Sequence, residues 1–219
     1  PSVIVAGASG LTLWQKSFGL SNFEVGLLGA LSANAFGSAL GAIIGGRLSD
    51  KFGRKMPLIL SAILFSASAW GTAVASNFDM FIVYRIVGGV GIGLASALSP
   101  LYIAEVSPAE KRGRFVAVNQ LTIVIGVLAA QLINLMIAEP VATGATQQAI
   151  VESWNGQTGW RWMFGAELVP AVIFLVLMFF VPESPRWLAS KGRIEEADAV
   201  VKMLENDATK HGLDLPEPV

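Results

Sequence analysis

Long uncharged runs alternate with short charged clusters along this 219-residue chain. Val25–Gly46 is 22 residues without an ionisable side chain, Met56–Phe78 is 23 and Phe115–Ala138 is 24. At about 1.5 Å rise per residue, each run crosses a hydrocarbon core of roughly 30 Å as a helix. Met80–Ala104 and Trp160–Val181 read the same way, although the first carries Arg85 and the second Arg161 and Glu167. Pro1–Gln15 is uncharged but too short to span with both ends in water. It is read as the outer part of a first helix whose beginning is absent, with Lys16–Glu24 as a short external loop. The pattern predicts an all-α membrane protein with five complete transmembrane helices and a partial first one.

The boundaries carry their own signals. Gly46–Lys55 reads GRLSDKFGRK and is predicted to be a hairpin tip between two spans. Pro57 suits the first turn of the following helix. Ser107–Arg114 is a second basic hairpin, Glu139–Gly159 a longer polar loop, and Pro182-Glu-Ser-Pro185 stops the last span. Gly29, Ala33, Gly37, Gly41 and Gly45 recur every four residues, a smooth ridge on which membrane helices approach closely. Beyond the spans, Arg193–Asn206 places Ile194, Ala197, Val201 and Leu204 on one stripe, an amphipathic helix at the water side. The expected divisions are a transmembrane bundle over 1–182, a cytoplasmic helical segment over 183–206 and a polar tail or linker over 207–219.

Charge distribution orients the bundle. Only Lys16 and Arg161 fall on one side and Arg85 lies within a span. Every other Lys and Arg of the 15 flanks the opposite ends, which are therefore expected to be cytoplasmic. Composition excludes other classes. A 53% hydrophobic content and mean hydropathy of +0.61 are far from a soluble domain. Net charge near −1 gives no reason to expect nucleic acid. With no cysteine and only His211, neither a metal site, a cofactor nor enzymatic chemistry is expected. The apolar start lacks the basic region of a signal peptide.

Two sets of polar residues stand inside apolar runs. Gln120 brings two donors and an acceptor into an uncharged span, where they need partners away from lipid. Ile123, Val127, Gln131 and Asn134 follow on the same helical face, which suits a water-filled cavity; hydrogen bonding between helices is the alternative use of such groups. Arg85 is an intramembrane charge and so a functional candidate. Glu167, about one and a half turns inside Arg161, is read as reaching back to the outer interface.

Several motifs together resemble the sugar porter branch of the major facilitator superfamily. They are Gly46-x-x-x-Asp50-Lys-x-Gly-Arg54-Lys, Arg85-x-x-x-Gly89-x-Gly91-x-Gly93, Pro100-x-Tyr102-x-x-Glu105 and Arg112-Gly113. Asn119-Gln-Leu121, Gly159-Trp-Arg-Trp162 and Pro182-Glu-Ser-Pro-Arg-Trp187 complete the set. The resemblance runs from about Phe18 to Leu204 and implies half of a major facilitator fold. In that fold two six-helix halves rock about a site at the bilayer midplane. It implies an integral protein of the cell (plasma or inner) membrane that moves a small sugar or polyol by uniport or proton symport. Its partners would be the lipid bilayer and a missing C-terminal half, or a partner half-transporter. By the same resemblance Gln120 occupies the position that hydrogen-bonds sugar hydroxyls. Asp50, Arg54, Glu105, Arg112, Glu183 and Arg186 belong to an ion-pair network latching the two halves. Arg85 matches the Arg beside the proton-linked Asp of symporters. A non-transporting sensor of the same fold, and a transporter of another small organic solute, remain open alternatives.

Overall fold

A computed structural model of the chain describes residues 33–108, 111–140, 149 and 152–210. The partial first helix, the external loop, the start of the second span, much of the 139–159 loop and the end of the tail lie outside the described residues. The elements are α1 (Ala33–Phe52), α2 (Lys55–Val74), α3 (Phe78–Val106), α4 (Arg112–Ile137), α5 (Trp160–Ala166), α6 (Leu168–Phe180), α7 (Pro185–Ser190) and α8 (Ile194–Lys210). Among the described residues there are only helices and their connections. Four stretches are long and apolar enough to cross a membrane: Lys55–Val74, Asp79–Val106, Arg112–Ile137 and Asn155–Phe180.

The hairpin between the first two helices is tighter than the charge pattern suggested. Residues 46–52 continue α1, and only Gly53 and Arg54 make the turn. Lys51 in the last turn of α1 suits the negative end of the helix dipole. Gly53 adopts φ +92°, the left-handed conformation that ends a helix, and its N–H donates to the Ser49 carbonyl at 3.1 Å.

Glycines then set the packing. α1 packs most extensively on α3, where a Cβ at Gly37 or Gly41 would strike the α3 backbone at Ile86 or Val90. The small-residue ridge therefore works as close backbone approach, which a single added methyl group would end. α2 packs on α3 and on the α5–α6 span. Leu58, Leu98 and Met178 form its core, bordered by Tyr102 and Phe174.

The last span starts earlier than Trp160. A single π turn, Asn155–Gly159, leads into α5, and Asn155 is clipped to the end of the preceding segment. Its side chain accepts from Glu139 N–H at 2.8 Å and donates to the Glu139 carbonyl at 2.7 Å. The span breaks at Glu167, three residues before Pro170, which cannot donate to the Ala166 carbonyl. α4 stands apart: none of its residues is buried. α7 and α8 form a small cluster of their own around Trp187, Leu188 and Ala197.

Candidate functional site

Three groups of residues bear on function. The first is at the Gly53 end of the bundle. The α1–α2 turn delivers Arg54 there, and the last turn of α3 delivers Glu105. Arg54 Nε and Nη2 donate to the two carboxylate oxygens of Glu105, both at 2.9 Å, and Nη1 donates to the Ser49 carbonyl at 3.0 Å. Ser184 Oγ donates to Glu105 as well. The pair is nearly enclosed, with side-chain exposures of 12% and 8%. A buried, bidentate, fully satisfied pair of this kind holds its geometry, and removing one partner costs about 3–5 kcal/mol.

The other residues predicted for this network do different things. Glu183 accepts from the Arg54, Lys55 and Ser184 backbone N–H groups, at 2.8, 3.2 and 2.8 Å. It thus caps α2 from another part of the chain, placing a negative group at the positive end of the helix. Asp50 is largely exposed and lies 3.6 Å from Arg54. Arg112 Nε donates to the Ala104 carbonyl at 2.9 Å, a cation on the last turn of α3. Arg186 is exposed and pairs with none of these acids among the described residues. Contacts that sequence reasoning did not assign fasten the same corner. Lys55 Nζ donates to the Phe179 carbonyl at 2.9 Å, Tyr102 OH to the Pro182 carbonyl at 2.8 Å and Trp187 Nε1 to the Asp50 carbonyl at 3.2 Å.

The second group surrounds Arg85, about 10 Å along α3 from its first residue. Glu167 faces it from the α5–α6 break, with Arg85 Nη1 4.0 Å from Oε2. The sequence reads Glu167 as reaching back to the outer interface; the structure adds that its carboxylate is within ion-pair range of Arg85. The Phe164 ring lies under the guanidinium at 5.2 Å, and Asn34 of α1 approaches from the other side. Asn34, Arg85 and Glu167 open on a cavity of about 380 Å³ lined also by Phe65, Ser68 and Phe174. A desolvated guanidinium with one carboxylate, one amide and one ring is a site where charge can be exchanged between partners. The signal for Glu167 was available, since an opposite charge within a span calls for Arg85's partner. Asn34 gave only a lone amide in an uncharged run.

The third group is the polar face of α4. Gln120, Ile123, Val127, Gln131 and Asn134 fall within an arc of roughly 80°. All but Asn134 are exposed, and Asn134 is partly so. The Gln120 amide makes no hydrogen bond among the described residues. The structure does not bring this face into contact with Arg85 or with the Arg54–Glu105 corner. The Arg85 cavity and the α4 face are separate features of the bundle.

Comparison with known proteins agrees with this architecture. The family described as sugar (and other) transporter matches residues 14–213. The D-xylose-proton symporter of Escherichia coli (strain K12) is 38% identical over 86% of this chain and 42% of its own length. The glucose transport protein of Synechocystis sp. is 42% identical over 87% of this chain and 40% of its own. The structure of the xylose transporter XylE from E. coli, in a partially occluded inward open conformation, superposes with a TM-score of 0.72. It shares 36% identity over 86% of this chain and 46% of that one. The chain spans about two-fifths of the length of the curated relatives it matches.

Proposed function

This chain belongs to the sugar (and other) transporter family, and we propose that it forms the N-terminal half of a transporter of monosaccharides or related polyols. The cargo crosses by alternating access, as a uniporter or a proton symporter, in the cell (plasma or inner) membrane. The Gly53 end of the bundle and the α7–α8 segment face the cytoplasm, in keeping with the asymmetry of Lys and Arg.

The observation that carries the reading is the α4 face. A span with no buried residue presents three primary amides, Gln120, Gln131 and Asn134, on one side. Amides facing lipid would leave their donors and acceptors unpaired. Facing a cavity between two halves, they meet a ligand rich in hydroxyl groups, with Ile123 and Val127 packing on its apolar face. The names of the relatives, a D-xylose symporter and a glucose transport protein, support the same class of cargo. At the other end, Arg54, Glu105 and Glu183 fix the α1–α2 turn, and Asp50, Arg112 and Arg186 offer charges to the opposing half as an inner gate. Arg85 serves coupling.

Uptake of radiolabelled D-xylose and D-glucose into proteoliposomes containing the full-length protein tests the proposal. Saturable uptake of at least one of them is expected, and its stimulation by an inward proton gradient separates symport from uniport. A protein that binds sugar but never moves it across the bilayer would contradict transport.

A further inference from the structure

Asn34 sits one turn before Gly37, and both meet Gly89 of α3. With its amide oriented to satisfy both neighbours, Nδ2 donates to the Arg85 backbone carbonyl at 2.8 Å and Oδ1 accepts from Arg85 Nη2. Both contacts go to one residue, so they fix the guanidinium relative to its own backbone. The approach depends on glycine at the contact: a Cβ on Gly89 would lie 2.6 Å from the Asn34 carbonyl oxygen. On the other edge of the guanidinium, Nη1 stops 4.0 Å from Glu167 Oε2, within ion-pair range but beyond a hydrogen bond.

A guanidinium free of other partners would close that gap, since bidentate pairing with a carboxylate is its strongest available contact. Here it is held back by a neutral amide. We propose that Asn34 is a positioning residue, which keeps the Arg85 guanidinium facing the cavity and short of hydrogen bonding to Glu167. Its effect on function rests on the reading of Arg85 as a coupling residue. Its effect on geometry does not. An amide suits the task because it binds one edge of the guanidinium without neutralising it, whereas a carboxylate would compete with Glu167 for the charge.

The test is a structure of the full-length Asn34→Ala protein, with Asn34→Leu, which keeps the volume and removes the polar atoms, as the second variant. In either, the Arg85–Glu167 distance is expected to close from 4.0 Å to about 2.8 Å. In Asn34→Asp, which keeps the acceptor, the guanidinium stays on the residue 34 side. An Arg85 side chain that remains in place in Asn34→Ala or Asn34→Leu overturns the inference. Sugar uptake supplies the functional arm. Asn34→Ala and Asn34→Leu are expected to lower the maximal rate about tenfold, as a closed pair must reopen each cycle, with apparent sugar affinity within about twofold. A lowered affinity at unchanged rate contradicts positioning. If the wild-type protein takes up no sugar, the transport reading fails while the displacement of Arg85 still decides the role of Asn34.

Discussion

The Glu183 carboxylate fills the space in which a side chain at residue 53 would stand. Gly53 has φ +92°, and a Cβ built on it would strike the Glu183 carboxylate. The same carboxylate caps α2. One glycine therefore lets the chain turn and lets a distant acid reach the helix end.

Gly53→Ala is expected to destabilise by about 2–3 kcal/mol, combining the left-handed backbone penalty with a displaced cap. Gly53→Asn tolerates the backbone better but keeps the collision, so it should recover only part of the loss. Thermal denaturation in detergent measures both. A Gly53→Asn protein as stable as wild type would show that the Glu183 contact contributes nothing.

Arg54 and Glu105 should behave as one unit. Glu105→Ala strips a nearly enclosed guanidinium of its bidentate partner, leaving only the exposed Asp50 at 3.6 Å, and is expected to cost about 3 kcal/mol. The double variant with Arg54→Ala should cost clearly less than the two single losses together. Additive losses would reduce the pair to two independent anchors. In the full-length protein, Glu105→Gln should slow net sugar transport while sugar binding in detergent survives.

Arg193 and Glu196 pair at the start of α8, with both nitrogen–oxygen distances 2.6 Å. The hydrogen bond from Arg193 holds the Glu196 carboxyl below its usual range, and Arg193 is shifted upward by the same bond. A depressed carboxyl contributes stability above its unfolded value, and that contribution is lost as pH falls through the folded value. Arg193 stays charged throughout and adds no slope. Amide exchange in the first turn of α8, corrected for intrinsic rates, should therefore speed up below about pH 4. Glu196→Gln should remove most of that change. An unchanged pH dependence in Glu196→Gln would assign it to Glu195 and the helix dipole.

Orientation is open to labelling. Ser190 and Ser76 are both exposed, whereas Ser49, within Gly46–Lys55, is buried. In intact cells, an impermeant thiol reagent should reach Ser76→Cys and spare Ser190→Cys. Labelling of Ser190→Cys from outside would invert the assigned topology.

The spans were legible because lipid imposes a long apolar run with no competing pattern. The run Met56–Phe78 holds the helix Lys55–Val74, and Phe115–Ala138 corresponds to Arg112–Ile137. Charge misleads at α1, where Asp50 and Lys51 read as loop yet stay helical. Their side chains leave the helix for water while its backbone ladder continues to Gly53. The family, too, was readable from motifs such as Pro182-Glu-Ser-Pro-Arg. Division of labour at the Gly53 end was not. Glu183 and Glu105 are both acids in motifs, and nothing in their spacing tells a helix cap from an ion-pair partner. Asn34 was hidden for a similar reason, since its only signal is contact across two helices that glycines bring together.

Gln120 tests the transport account most directly. A cavity amide that pairs with a sugar hydroxyl contributes about 0.5–1.5 kcal/mol, rising to about 3 where a hydroxyl is left unpaired. In isothermal titration of the full-length protein with its transported sugar, Gln120→Ala should weaken affinity roughly threefold to a hundredfold. The melting temperature without sugar should stay unchanged, because no residue of α4 is buried and Gln120 holds no helix in place. Wild-type affinity together with a lowered melting temperature would make Gln120 a helix-packing residue and contradict the sugar site on α4.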